Sequence, residues 1–327
     1  MYKSIDLFAG IGGIRKGFDR AFGKEINTVF VSEWDEFAQK TYRVNYKDDF
    51  DIAGDITKID EKEIPDFDIC LAGFPCQAFS LAGKRMGFDD DYKGMCRGTL
   101  FQDVVRICEF HKPKVIFCEN VKGLTIHDGG RTFKVIKKAF EQIGYTVYDK
   151  VLNSKDFGVP QNRERIYIVG FDRERFNLPK DYQFAFPVPP KTPTRLGDIL
   201  EKNVDPKYTI SEKLYEGHKR RKEEHKKKGN GFGFSLFNED SEYTNTLSAR
   251  YYKDGSEILI DQGENKRPRK LTPRECARLQ GFPESFIIPV SDTRAYKQFG
   301  NSVAVPVIRE IAKNMINTLE DLENSNV

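Results

Sequence analysis

Six short apolar runs are spaced through the first 170 residues with helix-like stretches between them, and this alternation constrains the fold more than any other feature. YKSIDLFAG, NTVFVSEWD, FDICLAGF, KVIFCENV, TVYDKVLN and RIYIVGF read as strands, and EFAQKTYRVNY, LFQDVVRICEF and TFKVIKKAFEQIG as amphipathic helices. Strand and helix in turn predict an α/β architecture built on a doubly wound sheet, in which ligands sit beyond the carboxyl ends of the strands. At 327 residues the chain can also bury a second, smaller core.

After the last of these strands the texture changes. The stretch 179–193 carries five prolines and reads as a linker. Beyond it the chain is basic and irregular to about residue 290, where VPVIREIAKNMINTLEDL later resumes a helical pattern. Three regions are therefore expected: 1–185, a ligand-binding and catalytic unit; 186–290, a smaller unit; and 291–327, a helix returning to the first. The 53 basic and 50 acidic residues leave a net charge of only +3, so any nucleic-acid footprint must be local. Its densest candidate is HKRRKEEHKKK at 218–228, readable either as a solvated helix face or as a row of phosphate contacts.

Other classes are disfavoured. With a mean hydropathy of −0.59 the chain offers no long apolar run for a membrane span, and the N-terminus has no charged segment followed by an apolar core, so a cytoplasmic location is expected. The six cysteines (70, 76, 96, 108, 118, 276) form no CxxC pair, and the four histidines (111, 127, 218, 225) do not join them at zinc-ligand spacing, so neither structural metal nor disulfides are expected. No coiled-coil heptads are present, which makes a monomer the default.

Four features fall at strand ends. DLFAGIGGIRKG, residues 6–17, is a strand, a Gly-rich turn and a helix start; it fails the dinucleotide pattern GxGxxG because Arg15 stands five after Gly10, and an ordinary tight turn is an equal reading. SEWD, residues 32–35, offers Glu33 for ribose hydroxyls and Trp34 for a purine face, and GDIT, residues 54–57, adds Asp55 for an amino group. AGFPCQAFS, residues 72–80, sets Cys76 after Pro75 among polar neighbours, whereas Cys70, Cys108 and Cys118 lie inside apolar runs as small hydrophobes. Finally, Glu119 in ENV ends an apolar strand, where an unpaired carboxylate would have a raised pKa and could act as a proton donor; a structural ion pair is the alternative. Gln161, Arg163 and Arg165 in QNRER alternate and so share one side if extended.

Taken in order, DLFAGIGG, GFPCQAFS, ENVKG, PQNRERIYIVGF, RKLTPRECARLQGFP and QFGNSVAVPV resemble the motif set of the DNA (cytosine-5) methyltransferases, from the first strand to the last helix. The segment GNGFGFSLF through RPRKLTPRECARLQGF is most similar to the Dcm-type enzymes, which methylate the inner cytosine of CC(A/T)GG. The span between NTLSARYYKDGSEILIDQ and RPRKLTP is shorter than in that type, which bears on the outer bases of the site.

The resemblance implies a Rossmann-like fold of the S-adenosylmethionine-dependent methyltransferases with a target-recognition domain, acting on double-stranded DNA, with a partner restriction endonuclease as a possible companion. It assigns Cys76 as the nucleophile at cytosine C6, Glu119 as the acid at N3, Arg165 as the holder of O2, and Arg163 as a brace for the thiolate and flipped nucleotide. S-adenosylmethionine would be surrounded by Phe8, Gly10, Ile11, Glu33, Trp34, Asp55, Ile56, Pro75, Leu100, Asn301 and Val303. The loop 80–99 would close over the site. For DNA, Ser80, Arg250, Tyr251, Tyr252 and Lys253 are the candidates, with two alternatives open: a tyrosine of this pair fills the small core, and Asp254-Gly255 forms a hairpin turn. A tRNA cytosine-5 methyltransferase is the alternative activity; a nicotinamide oxidoreductase is opposed by the failed GxGxxG, and adenine or N4-cytosine methylation by FPCQ standing where (D/N/S)PP(Y/W) would be needed.

Overall fold

All six expected strands form, and they hydrogen-bond into one sheet. In the computed structural model, residues 1–75, 100–179, 181–231 and 233–325 are described. The strands are β1 (Tyr2–Leu7), β2 (Ile26–Ser32), β3 (Ile69–Ala72), β4 (Val115–Val121), β5 (Tyr145–Asn153) and β6 (Glu164–Asp172), in the order β2-β1-β3-β4-β6-β5. β1 to β4 pair in parallel, and β6 runs antiparallel between β4 and β5. The reversal has a simple cause. Residues 154–163, which link β5 to β6, contain only one turn of helix, too little for the crossover a parallel pair requires.

Helices α1 (Gly13–Phe22), α2 (Glu36–Asn45), α3 (Leu100–His111) and α4 (Arg131–Gln142) lie between the strands. Asp35 caps α2, accepting the N–H groups of Phe37 and Ala38. α1 has no side-chain cap, and Gly12, in left-handed conformation at φ 77°, takes the chain from the turn into the helix. One apolar layer joins Phe18, Ile69, Phe117, Val169 and the C-terminal helix; the layer on the other sheet face joins Ile5, Phe101, Val104, Ile116 and Phe140. Val305–Ser325, the C-terminal helix, packs so closely on α1 that a Cβ on Gly17 would overlap Ile308. Its far end is tied to the sheet by Glu323, which accepts from Tyr2 Oη at 2.9 Å and from Lys114 Nζ at 2.7 Å.

The proline-rich stretch is no free linker. Phe184 is buried in the sheet layer, Tyr148 Oη donates to the Tyr182 carbonyl at 2.9 Å, and Asn314 Nδ2 to that of Ala185 at 2.7 Å. Beyond it come α5 (Glu212–Lys227), α6 (Tyr251–Asp254), α7 (Pro273–Leu279) and α8 (Asp292–Asn301); the last three contribute to a further apolar cluster of Leu196, Leu247, Tyr251, Leu271, Leu279, Phe286 and Phe299, which also takes in Ile11, Ala38 and Val305 from the sheet unit. Two-residue strands β7 (Leu236–Phe237) and β8 (Leu259–Ile260) pair in parallel. The C-terminal helix, following α8 in the chain, is α9.

RKLTPRECARLQGFP is built around one buried ion pair. Arg269 donates from both terminal nitrogens to Glu275, at 2.7 and 2.8 Å, while Glu275 also accepts the N–H groups of Glu201 and Thr272 and closes a capping box on α7. Because Glu275 is wholly buried, Glu275→Ala strands the Arg269 charge. It should cost about 3–5 kcal/mol in urea unfolding; a loss below about 1 kcal/mol, the worth of an exposed pair, would show the pair to be solvated.

Candidate active site

Glu119 leaves β4 opposite Tyr167 and Val121 opposite Arg165, so Glu119 and Arg165 are diagonal neighbours on one face of the antiparallel pair. Their side chains meet at 3.2 Å between Oε1 and Nε, both largely buried. Burial raises the Glu119 pKa above its ordinary 4.5, and Arg165 and then Arg163 pull it part of the way back. A carboxyl so placed retains its proton more readily than one in water.

The next residue fixes the neighbouring loop. Asn120 Nδ2 donates to the Phe74 carbonyl at 2.8 Å, tying the exit of β3 to the end of β4. Phe74 is buried and Pro75 exposed, directly ahead of the cysteine of FPCQ. Cys76, Ser80 and the loop 80–99 lie outside the described residues.

Arg163 is 3% exposed and has no carboxylate in its hydrogen bonds. Its Nη1 donates to the Leu247 carbonyl at 2.9 Å, and its Nη2 to those of Gly300 at 3.1 Å and Ser302 at 2.6 Å. Burial lowers its pKa to about 9, and neighbouring Arg165 adds to the fall. Nε has no acceptor among the described residues. The terminal nitrogens thus fasten two backbone segments, at Leu247 and at 300–302, to the strand that carries Arg163, a role spacing alone did not disclose.

At the other strand ends, Gly10 N–H and Asp35 N–H donate to the two oxygens of Glu33, each at 2.8 Å, so the Gly-rich turn and SEWD are one unit. GDIT joins them through Glu33 N–H to Ala53 and Ser32 Oγ to Gly54. Phe8 holds the left-handed conformation at φ 57°, rare for a residue with a side chain. Gly10 has φ +56°, and a Cβ there would meet nothing within 4 Å. Trp34 is 81% exposed beside that opening. Asp55 is held ionised by hydrogen bonds from Thr57.

An open space over a Gly-rich turn, a bare indole, and carboxylates at two neighbouring loops fit a nucleoside with ribose hydroxyls and an amino group. Ile56 and Ile11 are buried, so Ile11 can offer such a ligand little but backbone. Leu100 is half-buried at the start of α3; Asn301 is exposed and Val303 buried, where Ser302 and Val303 close on Gly13.

On the smaller unit, Arg250 and Lys253 are exposed and Tyr252 half-buried, but Tyr251 is not a surface residue. It is 0% exposed, its hydroxyl donating to the Ile258 carbonyl at 2.6 Å and accepting Leu271 N–H at 2.8 Å, so it belongs to the core and cannot touch DNA. Nor do Asp254 and Gly255 make a hairpin turn. α6 is one helical turn, ended by Gly255 in left-handed conformation at φ 66°. Two further groups had little sequence signal: Asn120, and Gln280 in RECARLQGFP. No His/Cys/Asp/Glu cluster fit for a metal occurs among the described residues, and no described helix is long and apolar enough to cross a membrane.

This sheet, with its Gly-rich turn after β1 and acidic residue after β2, is the fold of the S-adenosylmethionine-dependent methyltransferases. It is shared with a methyltransferase of Entamoeba histolytica (TM-score 0.76, 98% of this chain and 99% of that one) and a Dnmt2 of Spodoptera frugiperda (TM-score 0.78, 97% and 100%), each 22% identical. The family of C-5 cytosine-specific DNA methylases matches residues 2–317, and the chain belongs to it. Among relatives, the Type II methyltransferases M1.ScrFI of Lactococcus lactis subsp. cremoris and M.SsoII of Shigella sonnei are each 61% identical, across 98% of this chain and 79% and 81% of theirs. The DNA-cytosine methyltransferase of Escherichia coli K12 is 42% identical over 95% of this chain and 77% of its own. The protein is a DNA cytosine-5 methyltransferase of the restriction-modification type, a family that uses S-adenosylmethionine as methyl donor.

Proposed function

We propose that this enzyme methylates the inner cytosine of a short duplex site, CCWGG or CCNGG, through a covalent adduct between Cys76 and C6. The observation that carries the chemistry is the buried Glu119–Arg165 pair, held next to the backbone that leads to Cys76 by Asn120. Cytosine C5 is a poor nucleophile. Addition of the Cys76 thiolate to C6, with the Glu119 proton passing to N3, turns the ring into an enamine without building up negative charge. Arg165 holds O2 while C5 takes up the methyl group. N3 then returns its proton to Glu119, the C5 proton passes to water, and the electrons of that C–H bond restore the C5–C6 double bond as the C6–S bond breaks and Cys76 leaves as thiolate. S-adenosylmethionine supplies that methyl as an electrophile on a sulfonium. Gly10, Glu33, Trp34, Asp55 and the backbone at Phe8, Ile11 and Ile56 would hold it, with Pro75, Leu100, Asn301 and Val303 at the rim.

The cytosine must leave the stack for this, at a cost on the order of a few kcal/mol. Residues 186–290 are taken as the target-recognition unit, with Arg250, Tyr252 and Lys253 at base edges or in a groove. The inner-cytosine assignment is supported by the similarity of this region to Dcm-type enzymes. The protein is taken to act as a cytoplasmic monomer, with an endonuclease of the same specificity as a companion.

Helix α5 supplies phosphate contacts in this reading. Ser211 caps it, and buried His218, accepting from Arg221 at 2.8 Å and hydrogen-bonded to the Asp254 carbonyl at 3.2 Å, docks it on α6. Its last turn runs into Lys226, Lys227 and Lys228, all exposed. Converting these three to Gln should weaken binding evenly across sequences and make the plot of log K against log salt shallower by about 0.9 for each phosphate no longer neutralised. An unchanged slope would return the run to a solvated face.

The covalent step is tested with a duplex carrying 5-fluorocytosine at the target. Fluorine cannot leave as a proton does, so the Cys76 adduct should accumulate and survive denaturing electrophoresis, and Cys76→Ser should form none. Normal methyl transfer with no adduct would rule out the covalent route.

A further inference from the structure

Segment 244–250, which leads to the exposed Arg250 and Lys253, is held to the catalytic strand by buried polar groups. Thr244 N–H donates to the Pro160 carbonyl and Asn162 N–H to that of Thr244, each at 2.8 Å, and Thr246 Oγ1 donates to Asn162 O at 2.7 Å. Leu247 is taken at both ends: its N–H by Gln161 Oε1 at 2.9 Å and its carbonyl by Arg163. Gln161 Nε2 donates to the Leu279 carbonyl at 3.2 Å and to Gln280 Oε1 at 3.1 Å. Gln280 Nε2 donates in turn to the Phe299 carbonyl at 2.7 Å. Both glutamines are wholly buried. The next residue on, Gly300, lies so close to the backbone of Ser248 and Ala249 that a Cβ there would overlap both.

We infer that Gln161 and Gln280 are positioning residues that set the register of the base-contacting segment against Arg163 and Arg165, and so determine site discrimination. An apolar contact would tolerate a slide of the segment along the strand; a chain of directed amide bonds ending on Leu247 N–H does not. Two residues beyond Arg163 stands Arg165, paired with Glu119, and three beyond Leu247 stands Arg250. A shift of the segment is therefore a shift of the base contacts relative to the acid and the cytosine holder. Register errors of this kind act on discrimination before they act on cofactor binding, because neither side chain of the pair is among the groups facing the nucleoside opening. The inference rests on the DNA-methylating reading proposed above.

The test uses the full chain and a panel of duplexes, the preferred one and its single-base variants, with binding and methyl transfer measured on each. Gln161→Met is expected to reduce the ratio of preferred to variant duplex by at least about fivefold, the lower end of what one mismatched pair is worth. Its affinity for S-adenosylmethionine should stay as in the wild type. Gln280→Met should act likewise, and the double variant should be no worse than the poorer single, since both interrupt one relay. Parallel loss on every duplex with the ratio kept, or losses that multiply in the double variant, would overturn the inference. Should either variant fail to fold, Thr246→Val at the exposed edge of the same segment must lower the ratio, and an unchanged ratio counts against the inference. If the wild type binds the panel selectively but methylates no duplex, the functional reading fails while the binding ratios still test the relay.

Discussion

Glu119→Gln should lower methyl transfer by about 10²–10⁴-fold, the range that a positioned general acid contributes, while leaving DNA and S-adenosylmethionine binding largely in place. Glutamine keeps the shape of the side chain and can still face Arg165, but has no proton to give to N3. Wild-type activity should decline as pH rises through the folded pKa of Glu119, which burial has raised above 4.5, and the variant should lack that limb. Stability carries the same sign. A carboxyl with a raised pKa binds its proton more tightly in the folded state, so its contribution is present in full below about 4.5 and is lost as pH rises through the folded value. The variant should therefore gain in melting temperature relative to the wild type as pH rises through that window, and the difference should level off above it. A variant with wild-type turnover, or a stability difference that moves the other way with pH, would contradict the role given to Glu119.

Arg163→Lys and Arg163→Met should both fail, for reasons of geometry as much as charge. The planar guanidinium serves the carbonyls of Leu247, Gly300 and Ser302 from two nitrogens at once. An ammonium on a flexible stem does not reproduce that fork. Ser302 keeps a donor in Gln280 Nε2 at 3.5 Å, but the Leu247 and Gly300 carbonyls lose theirs at about 1–3 kcal/mol each, so the Met variant should lose about 2–6 kcal/mol in urea unfolding. Methyl transfer should fall further than stability accounts for, because the loosened segments carry Gly300 on one side and Leu247 on the other. Full activity in the Lys variant would make Arg163 a simple positive charge.

Much of this was legible in the chain. All six strands stand where the apolar runs placed them. Glu119 lies toward the end of its strand as read, but that its ion-pair partner is Arg165 was not legible, because the pairing depends on the antiparallel register of β4 and β6. The direction of β6 was not legible, because a strand pattern is the same read either way; the short connector supplies it. Five prolines marked 179–193 as a linker, yet Phe184 and the Tyr182 carbonyl dock on the sheet, since proline removes donors but not apolar burial. Tyr251 sits in a run of polar and aromatic residues that looks exposed, and is buried because its hydroxyl finds both a donor and an acceptor in the backbone. Long-range bonds from side chain to backbone, such as those of Gln161, Arg163 and Gln280, have no period and no spacing. They become visible only when four distant segments are brought together.

Methyl transfer from labelled S-adenosylmethionine to CCAGG, CCTGG, CCGGG, CCGG and GCGC duplexes and to bulk tRNA, with Cys76→Ser alongside, tests the central claim most directly. Label on CCAGG and CCTGG, extending to CCGGG if the site is CCNGG, and lost in the variant, is the predicted result. Label on tRNA alone, or full activity in Cys76→Ser, would contradict it.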